Sequence, residues 1–148
     1  MTLKVEIVIE PGAAEPKLVL HTDAMTPELA KLVSRLSDNL PEVIIGYIEN
    51  EAFLLDRADI QQIYAQEQRV FAKSGNREYR LKSRLYELEE QLAGTTFVRI
   101  SNSEIANFSK VASMDMGLSG TITLRFKNGE TTYVSRRYVE KIKQYLGL

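Results

Sequence analysis

Two stretches of the chain concentrate side chains that make directional hydrogen bonds to anions and to flat heterocycles. The first is TTFVRISNSEIANF, residues 95–108, which sets Arg99, Ser101, Asn102 and Ser103 among apolar neighbours. The second is TTYVSRRYVEKIKQYLGL, residues 131–148, with Arg136 and Arg137 adjacent and Lys141 and Lys143 beyond them. Asparagine can pair bidentately with adenine and arginine with guanine, while arginine, lysine and serine all suit phosphate oxygens. Taken alone, Asn102 and the serines read first as an Asx or Ser turn bonded to its own backbone. Arg136 and Arg137 fit a solvated surface less well. They open a predicted helix, where free amides disfavour cations and attract an anion, so the pair reads as a phosphate clamp.

Other chemistries lack their parts. His21 is the single histidine and falls in a predicted strand with no nucleophile or acid arranged around it. Cysteine is absent, and no spacing of histidines and carboxylates suggests a metal site. Neither a P-loop nor a G-x-G-x-x-G fingerprint occurs. Glu89 and Glu90 sit about 100° apart on a helix, so they read as solvated charge rather than a catalytic pair. The expectation is a protein that is not an enzyme, with no cofactor, metal or small-molecule substrate.

The chain has 148 residues, enough for one domain or a domain with a short appendage. Its net charge of −1 conceals a division. Residues 1–60 hold five Lys and Arg against eleven Asp and Glu, a balance of −6; residues 61–148 hold fourteen against nine, a balance of +5. A basic C-terminal part suits a polyanion, which the acidic N-terminal part would repel. The absence of cysteine fits a reducing compartment. MTLKVEIVIE is no signal peptide, because Glu6 and Glu10 break its apolar run, so a cytoplasmic location is expected.

The elements that must carry these residues are mostly strands. Leu3, Val5, Ile7 and Ile9 alternate with polar residues as a half-buried strand, Pro11-Gly12 breaks it, and residues 17–22 read as a second strand. Thr26-Pro27-Glu28 starts a helix carrying Leu29, Leu32, Val33 and Leu36, with Pro41 as its end. Residues 43–48 and 52–55 form a predicted hairpin, followed by strands at 60–65, 69–73 and 78–81. Ser83 can cap a short helix with Leu85, Leu88 and Leu92, stopped by Gly94. Strands at 97–100 and 105–108 flank the polar loop. The segment 121–126 then turns at Asn128-Gly129 into 131–134, and Ser135 can cap a final helix bearing Tyr138, Val139, Ile142, Tyr145 and Leu146.

The order of these pieces resembles the LytTR family of bacterial DNA-binding domains over residues 43–148. The resemblance rests on Ile60-x-x-Ile63-Tyr64, the helix RLYELEEQL, Phe97-x-Arg99 leading to Ser103 and Asn107, the Asn128-Gly129 hairpin, and the closing Val134-Ser135-Arg136-Arg137-Tyr138. It implies a mainly β (α+β), elongated fold with short helices that reads DNA through loops rather than a recognition helix. By position, Asn102 and Arg137 would read bases from two separate loops. Gln68 falls where many members place another contact residue, often histidine. Arg99, Ser101, Ser103, Arg136 and Lys141 would hold phosphate or support the loops, and Asn107 matches an asparagine of structural role. This chain departs at Ser101, where many members have histidine, and at Ala106, which replaces a larger β-branched residue. Glu104 should point away from phosphate.

The resemblance further implies a transcription regulator of double-stranded DNA with spaced direct repeats, closest to short members without a receiver domain. Residues 1–42 then form a β-β-α extension, regulatory or dimerising. A homodimer is the expected state on DNA, and a membrane-protein inhibitor is a partner seen with short members. The competing reading is a protein–protein interaction module without DNA binding of its own.

Overall fold

The computed structural model describes residues 3–12, 17–36, 43–117 and 120–148. Within them the apolar alternation from residue 43 onward builds antiparallel strands. Val43–Ile48 (β1), Glu51–Asp56 (β2), Ile60–Gln66 (β3), Arg69–Ser74 (β4) and Arg77–Leu81 (β5) follow one another through short turns. Leu85–Gln91 (α2) precedes Phe97–Ser101 (β6) and Glu104–Asn107 (β7). These seven strands make one sheet in the order β2-β1-β5-β4-β3-β7-β6. Val111–Asp115 (β8), Ile122–Phe126 (β9) and Thr131–Val134 (β10) form a second sheet, and Val139–Leu146 (α3) closes the chain. Pro27–Leu36 (α1) lies before all of them.

Two cores result, and the β6–β7 hairpin belongs to both. Phe97 and Ile105 join Ile60, Ile63, Leu81 and the α2 residues Leu85 and Leu88 in the first. Val98, Ile100 and Ala106 join Ile122, Leu124, Phe126, Val134 and the α3 residues Val139 and Ile142 in the second. Alternate side chains of a strand point to opposite faces, so this hairpin is covered on both. At Gly46 the sheet closes tightly: a Cβ there would stand 2.6 Å from Tyr79 Cβ and 2.7 Å from Leu55 Cδ1. Any side chain at Gly46 would force β1 away from β5.

Asn107 is the polar residue on which these layers meet. It is fully buried. Its Nδ2 donates to the Ile60 carbonyl at 2.7 Å. Its Oδ1 accepts from Thr96 Oγ1 (2.7 Å), Ser109 N (3.1 Å) and Ser109 Oγ (2.8 Å). One side chain thus ties the start of β3, the entry to β6 and the 3-10 turn Phe108–Lys110 that leads to the second sheet. A buried amide so fully satisfied holds one arrangement, because any other strands a polar group.

Several sequence expectations change in the structure. Residues 3–10 and 17–22 form no strand; Val5, Ile7 and Ile9 are 81, 84 and 84% exposed. Alternation specifies a half-buried strand only when a neighbouring strand and an apolar layer are available, and the described part of a single chain supplies neither to these segments. The helix start is as expected, with Thr26 Oγ1 accepting from Leu29 N at 3.2 Å; its expected end at Pro41 lies outside the described residues. Arg84 rather than Ser83 is the residue before α2, and Glu87 Oε1 accepts from its amide at 3.0 Å. Ser135 caps no α-helix: Arg136–Tyr138 form a 3-10 turn ahead of α3. Strand β8 was not expected, since a register shift between Val111 and Ser113 blurs its alternation.

Replacing Asn107 by alanine removes four hydrogen bonds and leaves a carbonyl, an amide and two hydroxyls to find new partners. Folding stability should fall by about 3 kcal/mol, read from the shift of the urea unfolding midpoint at unchanged slope. A loss within measurement error would mean that the layers are not held at this residue.

Candidate nucleic-acid interface

The polar stretch that stands out in the sequence is a tight hairpin tip. β6 and β7 are joined by Asn102-Ser103 alone, with a register shift between Arg99 and Ser101. Ser101 Oγ accepts from Ser103 N at 3.2 Å, so these serines hold the turn. By alternation Arg99 shares the face of Phe97, turned toward α2. There its side chain is only 12% exposed, and its Nη1 lies 3.4 Å from Glu89 Oε1. Its Nε donates to the Ser101 carbonyl at 2.7 Å and its Nη2 to the Asn102 carbonyl at 2.5 Å. Arg99 is therefore a clamp for the tip. Of the two roles expected for it, phosphate contact or loop support, the geometry is that of support.

Glu89, expected to be plain solvated charge, has a specific task. It faces both Arg99 and Lys141 Nζ, the latter at 3.3 Å from Oε2. Lys141 also stands 6.0 Å from the Tyr138 ring centroid. Adjacent acids on a helix gave no warning of this, since the partners lie at residues 99 and 141.

The second tip is the 3-10 turn. Ser135 N donates to the Ile100 carbonyl at 2.9 Å, which moors the turn to the end of β6. Tyr138 Oη donates to Asn102 Oδ1 at 3.3 Å. Those two bonds draw the turn that bears Arg136 and Arg137 against the Asn102 tip, and all three residues are exposed. Neither arginine takes part in an ion pair among the described residues. Tyr138 was read from the sequence as a helix-face residue and part of the closing motif; its contact with Asn102 was not legible there, because the two stand 36 positions apart with an entire sheet between them.

Gln68 sits on a third tip, the Glu67-Gln68 turn between β3 and β4, both residues left-handed at φ 51° and 64°. Such a two-residue turn matches the twist of the flanking strands but favours Asn-Gly. Ala65 N donates to the Ser103 carbonyl at 2.8 Å, so this tip and the Asn102 tip emerge at the same end of the sheet.

Glu104 follows the Asn102-Ser103 turn directly, at the start of β7. Its carboxylate accepts from Gln62 Nε2 at 2.5 Å and from Thr132 Oγ1. Burial pushes its pKa up, partly offset by those two donors. It lines a polar cleft of about 490 Å³ with Glu78 and Glu130. Lys73 beside Glu130 holds that carboxyl below the ordinary range. Burial and the adjacent Glu78 raise the Tyr64 phenol well above its usual value. Three carboxylates make this cleft, which Ser101 and Ser103 also line, a poor place for a phosphate.

Residues 50–147 match the model of the LytTr DNA-binding domain. The chain belongs to the LytTR family. An uncharacterised HTH-type transcriptional regulator of Staphylococcus aureus strain NCTC 8325 / PS 47 is 30% identical over 147 residues, covering 99% of each chain. Its counterpart in strain MRSA252 is 29% identical over the same span. The LytTr DNA-binding domain of a response regulator from Bacillus cereus shares the fold, with a TM-score of 0.70 at 20% identity, covering 74% of this chain and all of that one. The β-rich LytTR fold expected from the sequence is therefore the observed one. Those relatives carry the designation HTH, yet among the described residues five strands separate α1 from α2 and another five separate α2 from α3. The family is defined by a DNA-binding domain, not by a catalytic activity. Among the described residues no helix is long and apolar enough to cross a membrane.

Arg99→Lys keeps the charge but cannot hold Ser101 and Asn102 together. Amide exchange at residues 101–103 should rise, and affinity for duplex DNA should fall with the salt dependence unchanged. A decrease of about one in the slope of log K against log salt would instead count Arg99 among the phosphate contacts.

Proposed function

We propose that this protein is a sequence-specific transcription regulator that reads the major groove of double-stranded DNA through two neighbouring tips. Asn102 and Arg137 discriminate bases, with Gln68 as a further base contact. Arg136 and Lys141 neutralise phosphates, Ser101 and Ser103 keep the Asn102 turn in shape, and Arg99 holds that turn from behind. The observation that supports this reading best is the Tyr138–Asn102 contact, 3.3 Å long, which joins the amide tip to the turn that bears Arg137. Both groups can then meet one duplex without rearrangement, and the ordering entropy is already spent in folding.

Loops replace a recognition helix in this account. Phosphate contacts set register and carry the salt dependence, while the two tips carry sequence preference. The site is spaced direct repeats bound by a homodimer in the cytoplasm. A membrane-protein inhibitor acts through the acidic N-terminal part, whose charge suits a protein partner better than a polyanion.

Arg137→Ala should weaken binding to the cognate duplex by roughly 1–3 kcal/mol and relax base preference at the contacted position. Lys141→Ala should weaken cognate and scrambled duplexes alike. Mobility shifts on matched and scrambled sites at two salt concentrations measure both. Equal losses on the two duplexes for Arg137→Ala would refute its base-reading role, and absence of salt-dependent binding to either would identify an interaction module instead.

A further inference from the structure

The described N-terminal residues expose apolar side chains that no other described residue covers. Leu3, Val5, Ile7, Val8 and Ile9 are all exposed, as are Leu18 and Val19. Contiguous exposure on this scale marks a contact surface, and the alternating pattern calls for a strand partner rather than a flat patch.

Charge chooses the partner. In LKVEIVIE, Lys4 and Glu10 stand three residues either side of Ile7. An antiparallel pairing of this segment with itself, centred on Ile7, sets Lys4 opposite Glu10 of the second copy and Val5 opposite Ile9. The twofold axis repeats each pair, because residue i meets j while j meets i. Val5, Ile7 and Ile9 of both copies then share one face. Moving the centre to Glu6 would place Glu6 opposite Glu6, and moving it to Val8 would set Glu6 opposite Glu10; like charges directly opposite are destabilising. Any register of odd offset would turn the apolar set of one strand against the polar set of the other. Among the sheet edges of the chain itself (β2, β6, β8 and β10), that of β2 carries Glu51 and Asp56 and would meet Glu6 and Glu10 with like charge.

We propose that residues 3–10 form an intermolecular antiparallel β-ribbon with a second copy of the chain, in the register Lys4–Glu10 and Val5–Ile9 about a twofold axis at Ile7. Residues 17–22 of each copy, following the turn at Pro11-Gly12, add an outer strand and bring Leu18 and Leu20 to the sheet. Four strands with an apolar face can be stable where a lone hairpin is not.

Charge exchange in the full chain tests it. The wild type should be dimeric by light scattering at micromolar concentration. Lys4→Glu and Glu10→Lys should each raise the dimer dissociation constant at least tenfold, since each sets like charges opposite at both ends. An equimolar mixture of the two variants should recover the wild-type constant as a heterodimer, in which both pairs are again of opposite sign. Unchanged circular dichroism in the single variants separates loss of pairing from loss of fold. A monomeric wild type would overturn the proposal and leave the segment to the chain itself or to another protein. Single variants that dimerise as well as wild type, or a mixture that fails to recover, would overturn it too. DNA binding measured on the same samples stays a separate readout, so a monomer that still binds specifically would refute only the ribbon.

Discussion

A single buried amide sets the geometry on which the rest depends. Asn107 can satisfy its four hydrogen bonds only if the start of β3, the entry to β6 and the turn toward β8 all stand where they do. The β6–β7 hairpin is thereby fixed between two cores, and a strand pair covered on both faces has little freedom to twist or slide. Rigidity at its base is what lets a two-residue tip at its far end present Asn102 in a defined direction.

From that base the polar residues form a chain of supports rather than a set of independent contacts. Arg99 reaches from the α2 face to the carbonyls on either side of the tip, and Glu89 balances its charge while also meeting Lys141 on α3. Ser135 and Tyr138 then bind the second tip to the first. A guanidinium with three partners inside the fold is a fixture. The guanidinium groups of Arg136 and Arg137, exposed and free of ion pairs among the described residues, are the ones proposed to meet DNA. Arginine is thus held in place at residue 99 and exposed at 136 and 137.

Much of the body was legible in the sequence. Alternation located most of the strands, Asn128-Gly129 marked its hairpin, and Leu85, Leu88, Val139 and Ile142 fell on the buried faces of α2 and α3, although Tyr145 and Leu146 stay exposed. Asn107 was readable as structural through the resemblance, which places an asparagine of that role at this position. What escaped has a physical pattern. Glu89 and Tyr138 depend on partners many residues away, which neither periodicity nor spacing encodes. Ser83 and Ser135 had the right chemistry for caps, but the chain enters α2 one residue later and passes through a 3-10 turn before α3. The N-terminal strands failed for a different reason: their pattern is strand-like, but among the described residues no strand pairs with them.

The central claim is that the Asn102 and Arg137 tips are mounted together and touch one duplex together. Amide hydrogen exchange of the full chain, free and bound to a cognate duplex, measures this most directly. The account predicts added protection in both 100–103 and 135–138, with the β2 edge unchanged. Protection confined to one tip, or found at the β2 edge while both tips exchange as in the free protein, would contradict it.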